Sequence, residues 1–400
     1  MSNLNELIKE HCPDGVCYYP LKELCSFKQK GTITKDDLID NGMYPVINSS
    51  REILGYYSEY NNEKDTVVLT SHGAYAGFCH YMSEPFFAGA LCYPIQSINS
   101  SLILTKYLYY LLKNNEGTIR DRFVNKSGVP YINIKSLLML KLPVPPIPVQ
   151  YEIVKILDTF TSLQAELQAE LQAELQARKK QYNEYINILI EEGNHARYQI
   201  KPLGELFEFR NGLSKGKDFF GKGIPFVAYT DVYNNRSLYK ENITSLVECT
   251  SAEAERLYVK RGDVLFTRTS ETAEDVGWSS VMLDDMDACV FNGFCIKATP
   301  KTGDLLPEYC SYCFSTNSFR QYVVSHCSFT TRASLTGKTI AEYKLVIPPL
   351  EEQKRIANSL DKLYILFVDL KHGILAEIEA RQKQYEYYRD QLLSFKEIGK

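Results

Sequence analysis

Short polar stretches that are rich in Lys, Arg, Ser and Asn are the parts of this 400-residue chain best suited to binding chemistry. Lys and Ser side chains bind phosphates, whereas Arg and Asn form bidentate hydrogen bonds with the edges of guanine and adenine. These stretches are candidates for contacts with nucleic acid. For any single residue an ordinary solvated surface is the favoured interpretation, whereas several contacts are expected among the clusters of each half. The candidates are Lys28, Lys30, Asn48, Ser49, Arg51, Arg120, Arg122 and Lys126 in the first half of the chain, and Arg210, Lys215, Lys217, Arg268, Ser270, Thr331 and Arg332 in the second.

The overall charge does not favour a protein that binds nucleic acid through a uniform positive field. The chain carries 45 Lys and Arg against 49 Asp and Glu, for a formal net charge of −4. Acidic and basic residues are nearly balanced in both halves, so any contact with nucleic acid must come from local clusters. A hydrophobic content of 44% and a charged content of 24% are ordinary globular values. A chain of this length suits two globular units with connecting structure.

Two histidines raise the alternative of an enzyme. His72 and His80 lie next to Ser71 and Cys79, but nothing else in the sequence completes a catalytic triad, and packing or DNA-facing roles are favoured. The chain contains no Walker A loop, no glycine fingerprint for a dinucleotide and no Asp/Asn-Pro-Pro-aromatic motif that would hold an adenine amino group. We therefore expect no catalytic residue, and a stand-alone DNA methyltransferase or a nuclease remains the alternative.

The cysteines indicate buried thiols rather than disulfides or metal. Eleven cysteines is an odd number, and no export signal accompanies them. Cys310 and Cys313 form a CxxC pair, and His326 and Cys327 are conceivable further zinc ligands. The surrounding run looks helical, however, and cysteine packs there as a small hydrophobic residue. We expect no bound metal and no cofactor in this chain. No apolar stretch reaches the ~18 residues of a membrane span, which favours a soluble, cytoplasmic protein.

An internal repeat organises the chain. The segment 143–163 realigns with 346–366, and 177–190 realigns with 380–393, both at an offset of 203 residues (143 to 346). A weaker match aligns 20–24 with 202–206, so the second copy must hold about 21 extra residues in its globular part. The order is globular unit, helix, globular unit, helix, with similar frames and divergent interiors.

Long helices are predicted over 149–192 and from Glu351 to about Phe395, after the Pro-Pro pair of each copy. Gly193 is a predicted C-terminal stop, and Gly373 is expected to weaken the second helix locally. At 1.5 Å per residue each helix is roughly 65 Å long. Helices of that length must bury an apolar stripe, so we expect them to form an antiparallel coiled-coil-like pair with a globular unit at each end and a pseudo-two-fold axis.

The first helix contains a tetrapeptide repeat, LQAELQAELQAELQA, at 163–177. All four residue types form helix well, so the tract is a rigid segment. Its repetition has two interpretations: a chance run of good helix formers, or a ruler. Each unit would lengthen the helix by about 6 Å and rotate attached parts by roughly 40°.

Taken together, these features resemble the specificity subunit of Type I restriction-modification systems over nearly the whole chain. The resemblance is carried by HCPDGVCYYPLKELC at 11–25, by the PPxxxQ element that begins at Pro145 and again at Pro348, and by the tetrapeptide repeat. The first copy has Ile-Pro-Val before its Gln, without the acidic residue that the family's PPLxEQ pattern has at this turn.

The resemblance implies an α+β fold with two target-recognition domains, at 1–148 and 193–348, and two long helices, at 149–192 and 349–400. It implies that each domain reads one half of a bipartite site on double-stranded DNA. The helices would set the spacer and dock two modification subunits, which use S-adenosylmethionine, and the assembly would recruit ATP- and Mg-dependent restriction subunits. A protein-interaction scaffold without sequence-specific DNA binding is the other alternative.

Overall fold

The chain folds into two units, each of which includes part of both long helices. The computed structural model describes residues 2–191 and 198–399. Unit 1 comprises Met1–Leu171 with Ala376–Lys400, and unit 2 comprises Gln172–Leu375. The division therefore falls inside the LQAE tract. The predicted stop at Gly193 and the predicted domain boundary beside it lie outside the described residues, and the fourfold division of the chain stays a prediction.

Unit 1 contains a four-stranded sheet and a three-stranded sheet, flanked by helices. The four-stranded sheet has the order β2-β8-β5-β6 and the three-stranded sheet the order β4-β3-β7, while β1 pairs with β11 and β9 with β10. The helices are α1 (Ser2–His11), α2 (Thr105–Asn114), α3 (Glu116–Arg122), α4 (Ile134–Leu137) and α5 (Ile147–Ile190), which continues into unit 2; the strands are β1 (Cys17–Pro20), β2 (Cys25–Phe27), β3 (Tyr44–Ile47), β4 (Gly55–Tyr57), β5 (Thr66–Thr70), β6 (Cys79–Met82), β7 (Phe87–Ala88), β8 (Cys92–Ser97), β9 (Val124–Asn125), β10 (Tyr131–Ile132) and β11 (Lys141–Val144).

Unit 2 repeats this topology with additions. Its larger sheet has the order β13-β21-β17-β19-β15, the smaller sheets have the orders β16-β14-β20 and β18-β23-β22, and β12 pairs with β24. The strands are β12 (Gln199–Pro202), β13 (Phe207–Asn211), β14 (Phe220–Val227), β15 (Ser237–Leu238), β16 (Leu246–Val247), β17 (Val264–Thr267), β18 (Thr269–Ser270), β19 (Ser279–Met282), β20 (Val290–Phe291), β21 (Cys295–Pro300), β22 (Ser328–Phe329), β23 (Ala333–Ser334) and β24 (Lys344–Ile347); the helices are α6 (Leu203–Leu206), α7 (Tyr229–Asn234), α8 (Ser251–Leu257), α9 (Pro307–Cys313), α10 (Asn317–His326), α11 (Gly337–Glu342) and α12 (Leu350–Leu393), which ends in unit 1.

Most of the extra residues of the second copy lie in one region. The segment between β3 and β5 in unit 1 is 48–65, whereas the matching segment between β14 and β17 in unit 2 is 228–263. The longer segment holds α7, β15 and α8, for which the described part of unit 1 has no counterpart. The insertion therefore widens the larger sheet by the edge strand β15, which pairs in parallel with β19.

Both predicted long helices are present, and their ends pack into the cores of the units. Pro146 and Pro349 directly precede the first turns, where unsatisfied backbone N–H groups tolerate proline. Val149, Ile153 and Leu157 belong to the core of unit 1, and each is 0% exposed. Full burial of one such aliphatic side chain contributes about 1.5–3 kcal/mol.

Segments of α5 and α12 contact each other inside each unit. In unit 1 the Phe160 and Tyr388 ring centroids are 6.1 Å apart, and the hydroxyls of Thr161 and Tyr385 are 3.1 Å apart. As residue numbers increase along α5, those of the contacted residues on α12 decrease, so the two segments run in opposite directions in unit 1. In unit 2 the Tyr182 ring stacks on that of Phe367, with 5.5 Å between centroids.

Candidate nucleic-acid interface

In unit 1 three segments that are distant in sequence meet through the main chain. Ser71 directly follows β5, and its backbone N–H donates to the carbonyl of Leu91 at 2.9 Å. The carbonyl of Ser71 accepts from the backbone N–H of Ile132, also at 2.9 Å. We call the positions of Ser71, Leu91 and Ile132 the rim of unit 1.

Unit 2 builds the same rim from different residues. Arg268 directly follows β17; its N–H donates to the Phe294 carbonyl at 2.8 Å, and its carbonyl accepts from Leu335 N–H at 2.9 Å. Arg268, Phe294 and Leu335 therefore occupy the positions of Ser71, Leu91 and Ile132. The main-chain scaffold is shared, but the side chains differ: Ser71 of unit 1 corresponds to Arg268 of unit 2, and Leu91 corresponds to Phe294.

The first candidate loops adjoin the two rims. In unit 1 the Lys30 ammonium donates to the carbonyl of Ala90 at 3.2 Å, and Asn48 Oδ1 accepts from the backbone N–H of Leu91 at 2.9 Å. Lys28 lies in the same loop and is exposed. In unit 2 the backbone N–H of Gly293 donates to the carbonyl of Leu213 at 2.8 Å, which joins the 210–217 loop to the segment that contains Phe294.

A hairpin flanks the rim of unit 1 on its other side. The His72 ring stacks on that of Tyr131 with 6.1 Å between centroids, and Ser71 Oγ lies 2.8 Å from His72 Nδ1. Arg120 and Lys126 line a cleft of about 440 Å³ together with Gly73 and other residues of this region. The structure thus brings the basic cluster 120–126 beside the loop that follows β5.

The corresponding hairpin of unit 2 brings three more candidates together. Ser270 in β18 pairs with Ala333 in β23, so Ser270 lies beside the turn that contains Thr331 and Arg332. Thr331 is exposed, and Arg332 forms an ion pair with Glu271 at 3.3 Å. The side chains of that pair are 63% and 84% exposed, so the pair contributes little to stability.

The remaining candidates differ in how far they are held by other groups. Arg210 donates to Glu208 and to the carbonyl of Arg256, at 2.8 Å in both cases. Lys215 pairs with Glu253 at 2.8 Å and, with the Thr250 backbone, lowers the pKa of Glu253 to about 2. Arg51 is held by cation–π contacts, with its guanidinium 5.3 Å and 5.4 Å from the ring centres of Tyr75 and Phe78. Ser49 is half-buried, and Arg122 and Lys217 are exposed.

The histidines are arranged as structural groups rather than as a triad. His80 is half-buried, and its Nε2 lies 3.1 Å from the carbonyl of Ser50. Burial lowers the pKa of His80 below its ordinary value. Within residues 2–191 and 198–399, no carboxylate hydrogen-bonds to His72 or His80. A Ser–His pair without an orienting acid does not form the constellation of a serine hydrolase.

The CxxC pair lies in the core of unit 2. Cys310 and Cys313 are 2% and 0% exposed in α9, and burial raises the pKa of both thiols. Cys313 Sγ donates to the carbonyl of Tyr309 at 3.5 Å. The part of the chain that the structure describes holds no group of three or more His, Cys, Asp or Glu residues placed to bind a metal ion.

Sequence reasoning missed a pair of buried glutamines that join each helix to its unit. Gln150 Oε1 accepts from Leu104 N–H at 2.9 Å, and its amide donates to the carbonyls of Leu102 and Pro145. Gln353 makes the same bonds with Leu306, Asp304 and Pro348. The glutamine of the PPxxxQ element is therefore used inside the unit, and the atypical Ile-Pro-Val of the first copy leaves its hydrogen bonds intact. The repeat at offset 203 was the available signal.

A second missed pair is Asp158 and Asp361, again 203 residues apart. Asp158 accepts from Tyr110 at 2.6 Å and from Lys106 at 2.7 Å. Asp361 accepts from Tyr312 at 2.5 Å and from Arg236, in the insertion, at 3.3 Å. The two carboxylates hold α5 and α12 against their units by the same tyrosine contact and by different cations.

A further feature concerns the single tryptophan. Trp278 lies close to the rim of unit 2. Its backbone N–H donates to Oγ1 of Thr267, the residue that precedes Arg268, at 2.9 Å. The Arg320 guanidinium lies 4.4 Å from the centre of the Trp278 ring, which is a cation–π contact.

Among the described residues, no helix combines the length and the apolar character that a membrane span requires.

Comparison with known proteins identifies similar chains along almost the full length. The family model of the Type I restriction modification DNA specificity domain matches twice, at residues 13–177 and 196–380. The chain is 28% identical to the Type I restriction enzyme EcoR124I/EcoR124II specificity subunit of Escherichia coli, over 99% of this chain and 97% of that protein. It is 30% identical to a putative type I specificity subunit of Mycoplasma pneumoniae, over 86% of this chain and 97% of the relative.

The fold is also found among solved structures. A structure described as the basis of complex assembly and conformational transition of the type I R-M system matches with a TM-score of 0.73. The match covers 95% of this chain and 98% of the other, at 15% sequence identity. At an identity this low, the structural match supports a shared mixed α/β fold and nothing further.

Proposed function

Since the chain belongs to the family of Type I restriction-modification DNA specificity proteins, we propose that it is the DNA-recognition subunit of such a complex. Each unit reads one half of a bipartite site in double-stranded DNA. The two matches to the family domain fall on the two copies of the internal repeat, so one reading module per unit is the simplest division of labour.

The observation that carries this proposal is the rim. Both units hold three segments together by the same main-chain hydrogen bonds, and these bonds do not depend on side-chain identity. At equivalent positions unit 1 has buried Ser71 and exposed Leu91, whereas unit 2 has half-buried Arg268 and exposed Phe294. A constant scaffold with different side chains is what two modules need to read different base sequences, because base edges are distinguished by side-chain chemistry.

The long helices are proposed to form an antiparallel pair that sets the spacer between the half-sites. Opposite chain directions in the contacts of Phe160 with Tyr388 and Thr161 with Tyr385 support that arrangement in unit 1. The LQAE tract then acts as a ruler, because each four-residue repeat adds about 6 Å of helix, close to two base-pair steps.

The two units also carry matching grooves, which supports docking of two copies of one modification subunit. The groove of unit 1 has a volume of about 280 Å³ and that of unit 2 about 300 Å³. Every lining residue of one groove is 203 positions from a lining residue of the other. The linings are Phe160, Leu163, Gln164, Leu167, Arg381, Gln384, Tyr385 and Tyr388 in unit 1, and Leu363, Leu366, Phe367, Leu370, Arg178, Gln181, Tyr182 and Tyr185 in unit 2.

The chain itself is proposed to be non-catalytic. Adenine methylation with S-adenosylmethionine belongs to the modification subunits, and ATP- and Mg-dependent cleavage belongs to the restriction subunits. Within the described residues neither His72 nor His80 has a carboxylate partner, which supports this division.

Selection from a random DNA pool tests the proposal. The chain is co-purified with the modification subunits of its host and incubated with duplexes that contain random sequence. We expect enrichment of one asymmetric motif with two defined segments and an undefined spacer, and adenine methylation at the same motif in the host genome. Binding without enrichment would favour the scaffold alternative, and methyl transfer by the chain alone would favour the methyltransferase.

A further inference from the structure

Arg268 differs from the other described arginines of unit 2 because the residue is half-buried and its side chain has no partner. The side chain makes no hydrogen bond, ion pair or cation–π contact with any residue that the structure describes. Arg256 also lacks a side-chain partner, but it is exposed on α8. The arginines of unit 2 whose side chains contact other described groups are Arg178, Arg210, Arg236, Arg261, Arg320, Arg332 and Arg355.

The guanidinium nitrogens of Arg268 are not among the buried unpaired atoms of the described residues, so its donors reach solvent and no protein group occupies them. Such a group is a good candidate for pairing with a ligand acceptor, because the complex then satisfies donors that the free protein leaves unpaired. Arginine offers five donors in a planar fork that fits acceptors arranged side by side.

The backbone of Arg268 is fixed on both sides. Its N–H and its carbonyl are both used in the rim, by Phe294 and Leu335 at 2.8 and 2.9 Å. Neighbouring Thr267 is fully buried at the end of β17. A side chain on a rigid main chain reaches a defined place, which base readout requires, whereas phosphate contacts tolerate flexible side chains.

We propose that Arg268 is a specificity-determining residue of unit 2 and binds one guanine of the half-site through a bidentate contact with O6 and N7. This inference rests on the proposed function. At the equivalent position of unit 1, Ser71 is buried and its hydroxyl is 2.8 Å from His72 Nδ1. Ser71 is buried and too short for the same contact, so unit 1 has no counterpart of this contact at the equivalent position.

The test compares base preferences of two variants with that of the unaltered complex in the same pool selection. Arg268→Ser installs the side chain of the unit 1 position, and Arg268→Lys keeps the charge but not the fork. Arg261→Ala is the matched control, because Arg261 is an exposed arginine of the same unit, lies before the opposite end of β17 and pairs with Glu308.

We expect Arg268→Ser to remove the preference for one guanine in one half-site by roughly 5- to 150-fold, which corresponds to about 1–3 kcal/mol for one bidentate pair at about 1.4 kcal/mol per tenfold change. Arg268→Lys should weaken that preference less, and the other half-site should be unchanged in both variants. Arg261→Ala should retain the full motif.

Two results would overturn the inference while leaving the proposed function intact. One is an unchanged motif in both Arg268 variants. The other is uniform weakening across all sequences in a complex that is still folded, which would identify a phosphate contact rather than base reading. Failure of the unaltered complex to enrich any motif would instead refute the proposed function itself.

Discussion

Replacing Gln353 should loosen the junction between α12 and unit 2, and the size of the effect follows from its hydrogen bonds. Its carboxamide is 0% exposed and makes three of them: it accepts from Leu306 N–H at 2.9 Å and donates to the carbonyls of Asp304 and Pro348 at 2.7 and 2.8 Å. Gln353→Met keeps the side-chain volume and removes all three bonds, so a large cavity does not form.

Each lost hydrogen bond costs about 1 kcal/mol, and somewhat more where the partner stays buried and unpaired. Three bonds therefore lower the free energy of opening this junction by about 3 kcal/mol. Because about 1.4 kcal/mol is a tenfold change in an equilibrium constant, the open form should become roughly 100 times more populated. The Leu306 amide, which donates directly to Gln353, should report the change most strongly.

Hydrogen exchange followed by mass spectrometry on the peptide that contains Leu306 is the appropriate assay, since it resolves local opening within a folded chain. Gln150→Met in unit 1 should have the same effect on the Leu104 peptide and none on that of Leu306. The exposed Gln176→Ala should leave both peptides unchanged. Less than a threefold acceleration at Leu306 in the Gln353 variant would refute the reasoning.

Three further outcomes are expected. Deletion of one repeat unit, residues 167–170, should leave both half-sites unchanged and alter the spacer of the motif read by methylome sequencing; an unchanged spacer with full activity contradicts the ruler. Because Trp278 is the single tryptophan and lies close to the rim of unit 2, binding of cognate duplex should change the intrinsic fluorescence more than non-cognate duplex does, and equal responses would place the interface elsewhere. A thiol reagent should label exposed Cys17 in the native chain, whereas Cys310 and Cys313 should react only after unfolding because burial raises the pKa of both thiols; fast native labelling of either would contradict their burial.

The parts of the fold that the sequence predicts well are those encoded by local periodicity. The helices predicted over 149–192 and from Glu351 are observed at Ile147–Ile190 and Leu350–Leu393, so their ends differ by about two residues. Proline marks each start, because it closes the preceding strand and fits the first helical turn. The apolar stripe that includes Ile153 and Leu157 repeats at helical spacing, and the core of unit 1 buries both residues.

The insertion and the rim were beyond sequence reasoning for a different reason. The excess of about 21 residues follows from two offsets, but its place does not, because the interiors of the copies share too little sequence to align. The rim depends on main-chain hydrogen bonds between Ser71, Leu91 and Ile132, which leave no side-chain pattern. The candidate residues predicted from the sequence include Arg268 but neither Ser71 nor His72, because no cluster of basic residues surrounds the rim positions of unit 1 in the sequence.

The two copies of the repeat agree where a side chain supplies the structural bond and differ where the main chain does. Gln150 and Gln353 must be identical, since a buried carboxamide of fixed length joins the same three backbone groups in each unit. Ser71 and Arg268 are free to differ, because their rim hydrogen bonds use only backbone atoms. A recognition surface built in this way can change the bases it reads without a change in the scaffold that holds it. Under the proposed function, two unlike half-sites in one duplicated chain would therefore originate in the separation of main-chain construction from side-chain recognition.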